Sequence, residues 1–316
     1  MIFTIRVLAL VSMVVGKLVR SPGYVPRPRE AGVSIYSPLA LEFDWRNANG
    51  TNWLTEVRNQ FLPQWCGSCW IQATTSALSD RFKILMLKEF PSDYLTDISF
   101  SPQVLLDCGN TLEPHVGSCA GGDDSLAYEW ISRHGVTDTT CAPYLAADRL
   151  CLEKEKSFCK ACYGDGVCRP VDGTKYFVSH HGGFGGKTTD ENVTLMMKEI
   201  IDHGPITCSI FSELKQFHCY QDGVIHEPTV KDAPTHVISL VGWGATTGEN
   251  GIPYWIARHS GGTQWGLNGF FYISRGFNTL RVEEFCHWGD VAIPIPADKI
   301  CAGREYILDK NVFMKE

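Results

Sequence analysis

The residues most able to do chemistry stand together in Asn59-Gln60-Phe61-Leu62-Pro63-Gln64-Trp65-Cys66-Gly67-Ser68-Cys69-Trp70. After Cys69, the residues Trp70, Ala73, Ala77, Leu78, Phe82, Ile84 and Leu85 recur at roughly helical spacing, with no Pro or Gly among them. Cys69 is therefore predicted to open a helix. Unpaired backbone N–H groups and the helix dipole favour a thiolate there, the nucleophilic form of cysteine. Two cysteines three apart also suit half of a zinc site, which needs a second pair at ligand spacing. A downstream imidazole, in Thr235-His236-Val237, favours a thiol nucleophile at Cys69 instead, with Cys66 as half of a disulfide that braces it. The plainer reading of His236 is a buried structural histidine beside a strand.

The elements that must position these groups change character along the chain. The first half, to about Cys168, carries the predicted nucleophile helix and a cysteine-rich loop region. Ser101-Pro102-Gln103 ahead of Val104-Leu105-Leu106 reads as a capped helix entry with Pro near the first turn. In the second half, Val237 to Gly244, Tyr254 to Arg258 and Phe270 to Ile273 are rich in β-branched and aromatic residues and read as strands. A helical lobe followed by a strand lobe implies an α+β protein with its site in the cleft between them. No internal repeat or low-complexity tract interrupts this pattern.

The whole chain bounds the setting. Its 316 residues suffice for one sizeable core split into two lobes. Lys and Arg number 28 against 35 Asp and Glu, a formal charge of −7 that argues against nucleic acid as a partner. Arg6, the apolar run Val7 to Val15 and the small Gly16 read as a secretory signal peptide over 1–16, too short to span a membrane. Residues 17–39, with Pro22, Pro26, Pro28 and Gly32 and no helical period, read as a short propeptide. The helical lobe is then expected over 40–170, the β lobe over 171–290 and a tail over 291–316. Thirteen cysteines fit an oxidising compartment, and an odd count leaves one thiol free or paired with another chain. Sequons at Asn49 and Asn192 are compatible with a secreted glycoprotein.

Taken together, Cys66-Gly67-Ser68-Cys69-Trp70, Asp44-Trp45-Arg46-Asn47, Cys119-Ala120-Gly121-Gly122, Gly204-Pro205 and Glu283-Glu284-Phe285-Cys286 resemble a papain-like cysteine protease. The insertion Phe61-Leu62-Pro63 after Gln60 resembles the cathepsin X (cathepsin Z) branch in particular. The resemblance covers about Pro26 to Asp290. It implies a two-lobed α+β fold, helical on the left and β-barrel-like on the right, and an enzyme that hydrolyses peptide or protein substrates without a metal or other cofactor, carboxypeptidase action being the branch's habit. It also implies roles. Cys69 attacks the scissile carbonyl, His236 holds and returns the proton, and Gln60 donates to the oxyanion beside the Cys69 N–H. Gly121 and Gly122 lie along the substrate backbone, and Phe61, Trp65 and Trp265 line the cleft. The implied disulfides are Cys66–Cys119, Cys108–Cys151, Cys141–Cys159, Cys162–Cys168 and Cys208–Cys286, with Cys219 and Cys301 left over. A monomer is expected, in the secretory pathway, in a lysosome-like compartment or outside the cell.

Three departures from the branch pattern carry consequences. His259 stands where the family has an Asn that accepts a hydrogen bond from the imidazole, and Gly261 replaces the Trp that shields that bond. A neutral His259 could accept, whereas a protonated one would repel the imidazolium. With an ordinary histidine pKa of about 6.5, the expectation is an enzyme weakened most at acid pH. Phe61 replaces the His that binds the substrate's terminal carboxylate, so looser recognition is expected. No cysteine precedes Cys66 to cap the nucleophile as the branch's propeptide cysteine does. Two other readings stand beside the peptidase: a non-catalytic relative that binds peptides in its cleft, and an endopeptidase freed by loss of the carboxylate anchor.

Overall fold

The computed structural model describes residues 39–89, 96–151, 159–164, 166–171, 173–185, 190–227, 230–248 and 251–292. The expected signal peptide, nearly all of the propeptide, the tail beyond residue 292 and Cys301 lie outside the described residues. In chain order the elements are β1 (Phe43–Asp44), α1 (Cys69–Glu89), α2 (Gln103–Cys108), β2 (Gly117–Ser118), β3 (Gly121–Gly122), α3 (Asp124–His134), β4 (Lys160–Cys162) and β5 (Cys168–Pro170). They continue with β6 (Val178–Gly185), α4 (Asp190–His203), β7 (Ile206–Ile210), α5 (Lys215–His218), β8 (Val224–Ile225), β9 (His236–Ala245), β10 (Pro253–Arg258), β11 (Phe270–Ser274) and β12 (Phe285–Val291).

Two apolar cores make the two lobes of a papain-like α+β fold. One gathers Trp70, Ile71, Leu78, Leu105, Tyr128, Trp130 and Ile131 from α1, α2 and α3. The other fills an eight-stranded sheet with Ile206, Ile238, Leu240, Trp243, Trp255, Phe271 and Ile273. The three strand runs read from the sequence become β9, β10 and β11, next to one another in the order β6-β12-β7-β9-β10-β11-β8. β1 pairs with β9, and Trp45 and Leu54 join the sheet core, so the segment before α1 packs on the strand lobe. Ser101 Oγ accepts the Gln103 N–H at 3.1 Å, which supplies the cap at the α2 entry.

α1 runs through the seam between the lobes. The apolar spacing that marked it suggested one buried face. In fact every residue from Cys69 to Phe82 is buried, polar ones included. Such burial is costly unless the polar groups find partners, and most of them do, Gln72 Oε1 being an exception. Thr74, Thr75 and Ser79 donate to carbonyls one turn earlier, at Trp70, Ile71 and Thr75, each at 2.7 Å. Asp80 accepts from the Thr55 N–H and hydroxyl, both at 2.7 Å, and pairs with Arg258 at the end of β10. Arg81 pairs with Glu199 on α4 at 2.9 Å and with Asp290 on β12 at 3.0 Å. A third buried cluster, Thr207 and His287 on Asp124, ties α3 to β7 and β12 at 2.7 Å each. These ties hold the lobes in one fixed relation and so fix the distance between groups on opposite walls.

The five implied disulfides are formed: Cys66–Cys119, Cys108–Cys151, Cys141–Cys159, Cys162–Cys168 and Cys208–Cys286. Cys66 is thereby committed, which removes the zinc half-site as a reading of Cys66 and Cys69. Cys69 is a free thiol, and Cys219 is free and exposed. Among the described residues no helix is long and apolar enough to cross a membrane.

Candidate active site

Cys69 is the first residue of α1 and is almost wholly buried. The turn before it is pinned from several sides. The Gly67 N–H donates to Cys119 O at 2.7 Å beside the Cys66–Cys119 bridge, and Ser68 O accepts from Gln72 at 2.9 Å to begin the helix. Ser68 Oγ meets Tyr144 Oη at 2.7 Å, and Tyr144 in turn donates to Gln60 O at 2.8 Å. Burial pushes the Cys69 thiol up to about 11. The backbone N–H groups of Val237 and Trp70 oppose that rise, while the Asp124 carboxylate adds to it.

Gln60 is 1% exposed and its amide is held at both ends. Ser260 Oγ donates to Gln60 Oε1 at 2.7 Å, and Gln60 Nε2 donates to Cys66 O at 3.1 Å. Its backbone N–H donates to Ser260 O at 2.9 Å. One hydrogen on Nε2 is spoken for, leaving the second to point elsewhere.

His236 and His259 meet because β9 and β10 run antiparallel. β9 begins at His236 and β10 ends at Arg258, with Arg258 opposite Ser239, so the two histidines fall at one end of the sheet. His236 Nε2 lies 2.9 Å from His259 Nδ1. His236 Nδ1, the other ring nitrogen, makes no hydrogen bond. Both rings are buried, at 1% and 4% exposure. Burial drives the His236 imidazole down to about 3, with a smaller push from His218. Burial also lowers His259 well below its ordinary value, and His236 and then His218 lower it further.

Two expectations drawn from the departures need correction. First, titration of His259 near 6.5 does not fit this environment, because a desolvated imidazole beside a second imidazole resists protonation. Burial and the neighbouring imidazole thus favour the neutral form of His259, which can accept a hydrogen bond. Second, the changes at 259 and 261 are one change. A Cβ on Gly261 would lie 2.5 Å from both Cδ2 and Nε2 of His259, so the larger ring occupies the room that the missing side chain leaves. Nor is the hydrogen bond left bare. Trp265 lies 4.5 Å from the His259 ring, Phe217 5.3 Å, and Phe61 6.5 Å.

Phe217 was not singled out from the sequence. Its ring also lies 5.8 Å from His236 and 5.1 Å from Trp265, which makes it the hub of the aromatic wall. It sits in the short helix α5, whose sequence Lys-Gln-Phe-His has no period to announce it. Ser260 and Tyr144, which orient Gln60 and its neighbours, were missed because their partners are distant in sequence. Trp65, two residues beyond the insertion, is 46% exposed, and Leu62 within the insertion is exposed too. Gly121 and Gly122 are both buried in the β3 turn. A Cβ at Gly122 would meet the Trp70 indole at 2.5 Å, so packing on α1 already demands glycine there. Asn49 is exposed, and Asn192 is half-buried on α4.

Residues 39–289 match the papain family cysteine protease family. The chain is 38% identical over 283 residues to "Cathepsin Z" of Onchocerca volvulus, covering 87% of this chain and 85% of that protein. It is 29% identical to a "Cysteine protease" of Blomia tropicalis, covering 81% of this chain and 68% of that protein. Among solved structures, one from work on the mite allergens Blo t 1 and Der p 1 superposes with a TM-score of 0.64 at 28% identity. That likeness covers 83% of this chain and 74% of the other. A digestive procathepsin L2 proteinase from Tenebrio molitor superposes with a TM-score of 0.62 at 25% identity, covering 82% and 70%. The chain belongs to the papain family of cysteine proteases.

Proposed function

We propose that this papain-family protease hydrolyses peptide bonds with Cys69 as nucleophile and His236 as its proton partner, His259 standing in for the family's orienting asparagine. The observation that carries the reading is the 2.9 Å contact between His236 Nε2 and His259 Nδ1, made with Val237 N–H turned on Cys69 Sγ. In the productive tautomer His236 donates its Nε2 hydrogen to neutral His259. The Nδ1 lone pair is then open to take the Cys69 proton.

The steps follow from that assignment. The thiol proton passes to His236 Nδ1 as sulfur attacks the scissile carbonyl carbon, and the carbonyl π pair moves to oxygen. Gln60 Nε2–H and the Cys69 N–H receive that oxyanion. Its collapse expels the amine, which takes the proton from His236 and leaves a thioester. Water attacks the thioester, gives a proton to His236, and frees the acid while the proton returns to sulfur. Burial opposes a lone thiolate and a lone imidazolium alike, so the two charges arise together, by direct transfer, when substrate fills the cleft. Turnover is slower than in a site with a standing ion pair. The same burial favours the second reading, a quiet relative that holds peptides without cleaving them.

The substrates are peptides or proteins, trimmed from the C-terminus, since the inserted loop Phe61-Leu62-Pro63 stands at the side of the dyad and closes the cleft by bulk. The protein acts as a monomer in the secretory pathway, in a lysosome-like compartment or outside the cell, where its five disulfides persist. Loss of the propeptide is part of its maturation. Titration of the matured protein with a thiol-reactive epoxide, beside a Cys69→Ala control, tests the chemistry. One equivalent bound at Cys69 supports it. No labelling beyond the control in folded, reduced protein favours the quiet reading.

A further inference from the structure

C-terminal trimming needs a positive group to receive the substrate's free carboxylate, and Phe61 offers none. Its ring turns toward His259 at 6.5 Å and adds to the apolar wall instead. A carboxylate one residue beyond the scissile bond lies only about 3.5 Å of extended chain past the leaving nitrogen. The anchor must therefore stand close to the dyad and be open to the cleft. Arg58 and Arg258 fail the second condition. They are 9% and 3% exposed, and their guanidinium groups are committed to Thr75 and Ser79, and to Asp80 and Ser76.

Among the described residues, His218 stands beside the aromatic wall of the site and is not wholly buried. His218 closes α5 directly after Phe217, the aromatic that touches His236, His259 and Trp265. Its ring lies 6.1 Å from that of Phe217, and its side chain is 28% exposed. Phe217 in turn lies 5.8 Å from the His236 ring and 5.3 Å from the His259 ring, and a charge on His218 lowers the pKa of both. The other charged groups around it are Glu213, whose Oε2 lies 4.0 Å from His218 Nε2, and exposed Lys215 on the same turn. An arriving carboxylate competes with Glu213 for the Nε2 side of His218.

We propose that His218 is the specificity-determining residue that receives the free C-terminal carboxylate of the substrate, on a different element from the loop position that Phe61 fills. The inference rests on the C-terminal trimming reading above.

The test compares matched peptides that end in a free acid or in an amide, by the ratio of their kcat/KM values. The wild type is expected to favour the acid by about tenfold to a hundredfold, the range of a charged hydrogen bond. His218→Ala is expected to bring the ratio close to one, mainly through KM for the acid. His218→Lys is expected to restore the preference, a rescue that a merely structural role would not give. Lys215→Ala is expected to leave the ratio in place. An acid preference that survives His218→Ala overturns the inference while trimming stands. A wild type indifferent to the free acid overturns trimming, and the inference with it.

Discussion

On the helical side of the cleft, Cys69 is set by the first turn of α1, and Gln60 is clamped between Ser260 and Cys66. Each position depends on backbone geometry, a disulfide and hydrogen bonds that tolerate no substitute, and the residues there match the family motif. On the sheet side, the imidazole is held by side chains packed on one another: His259, Gly261, Trp265, Phe217 and Phe61. There His259, Gly261 and Phe61 depart from the motif, and the changes at 259 and 261 fit together. Backbone-built sites are kept residue by residue, whereas packed ones can be exchanged in groups that conserve volume and one acceptor.

The strongest way to break this contrast is to remove the groups that react. Cys69→Ala and His236→Ala should each abolish measurable turnover in assays of a peptide substrate, a loss on the order of a millionfold by analogy with other nucleophile–base sites. Measurable turnover by Cys69→Ala would move the nucleophile elsewhere. Next in size is the packing exchange. Gly261→Trp in the presence of His259 forces side-chain atoms into the ring and should lower kcat/KM about tenfold to a hundredfold, with a lower Tm. In a His259→Asn background the same substitution should cost far less. A double-mutant cycle should then give a coupling of about 0.5 to 3 kcal/mol, and additive effects would mean the two positions are independent.

A smaller effect lies in stability against pH. His236 and His259 have lowered pKa values in the folded state, so the unfolded chain binds more protons than the folded one just below pH 6.5. Their contribution is thus fully present above 6.5 and is lost as pH falls toward the folded values. Denaturation followed across pH 7 to 5 should show uptake of up to about two protons from this pair, and His259→Asn should remove about one. An unchanged uptake in that variant would mean His259 is not held neutral by the fold.

Much of this was legible in the sequence. The runs that became β9, β10 and β11 are β-branched and aromatic over the whole strand length, because both faces of those strands are covered. The start of α1 and the pairing of the cysteines followed from motif and resemblance. The polar burial of α1 did not, because Asp80 finds Arg258 178 residues away and Arg81 finds Asp290 209 residues away. β1, at two residues, is too short to show alternation, yet it carries the chain onto the strand lobe. The exchange at 259 and 261 was visible as two losses. Only the ring's placement shows that they compensate, and only its burial shows that acid pH acts on it less than a free imidazole's pKa suggests.

The most direct test of His259 as a neutral acceptor is the pH profile of kcat/KM for the wild type beside the double variant His259→Asn, Gly261→Trp. The ratio of the two should stay level between about pH 7 and 5, since burial keeps His259 uncharged below its ordinary value of about 6.5. A ratio that climbs in favour of the double variant as pH falls through 6.5 would contradict it, because His259 would then be taking up a proton and withdrawing the acceptor that orients His236.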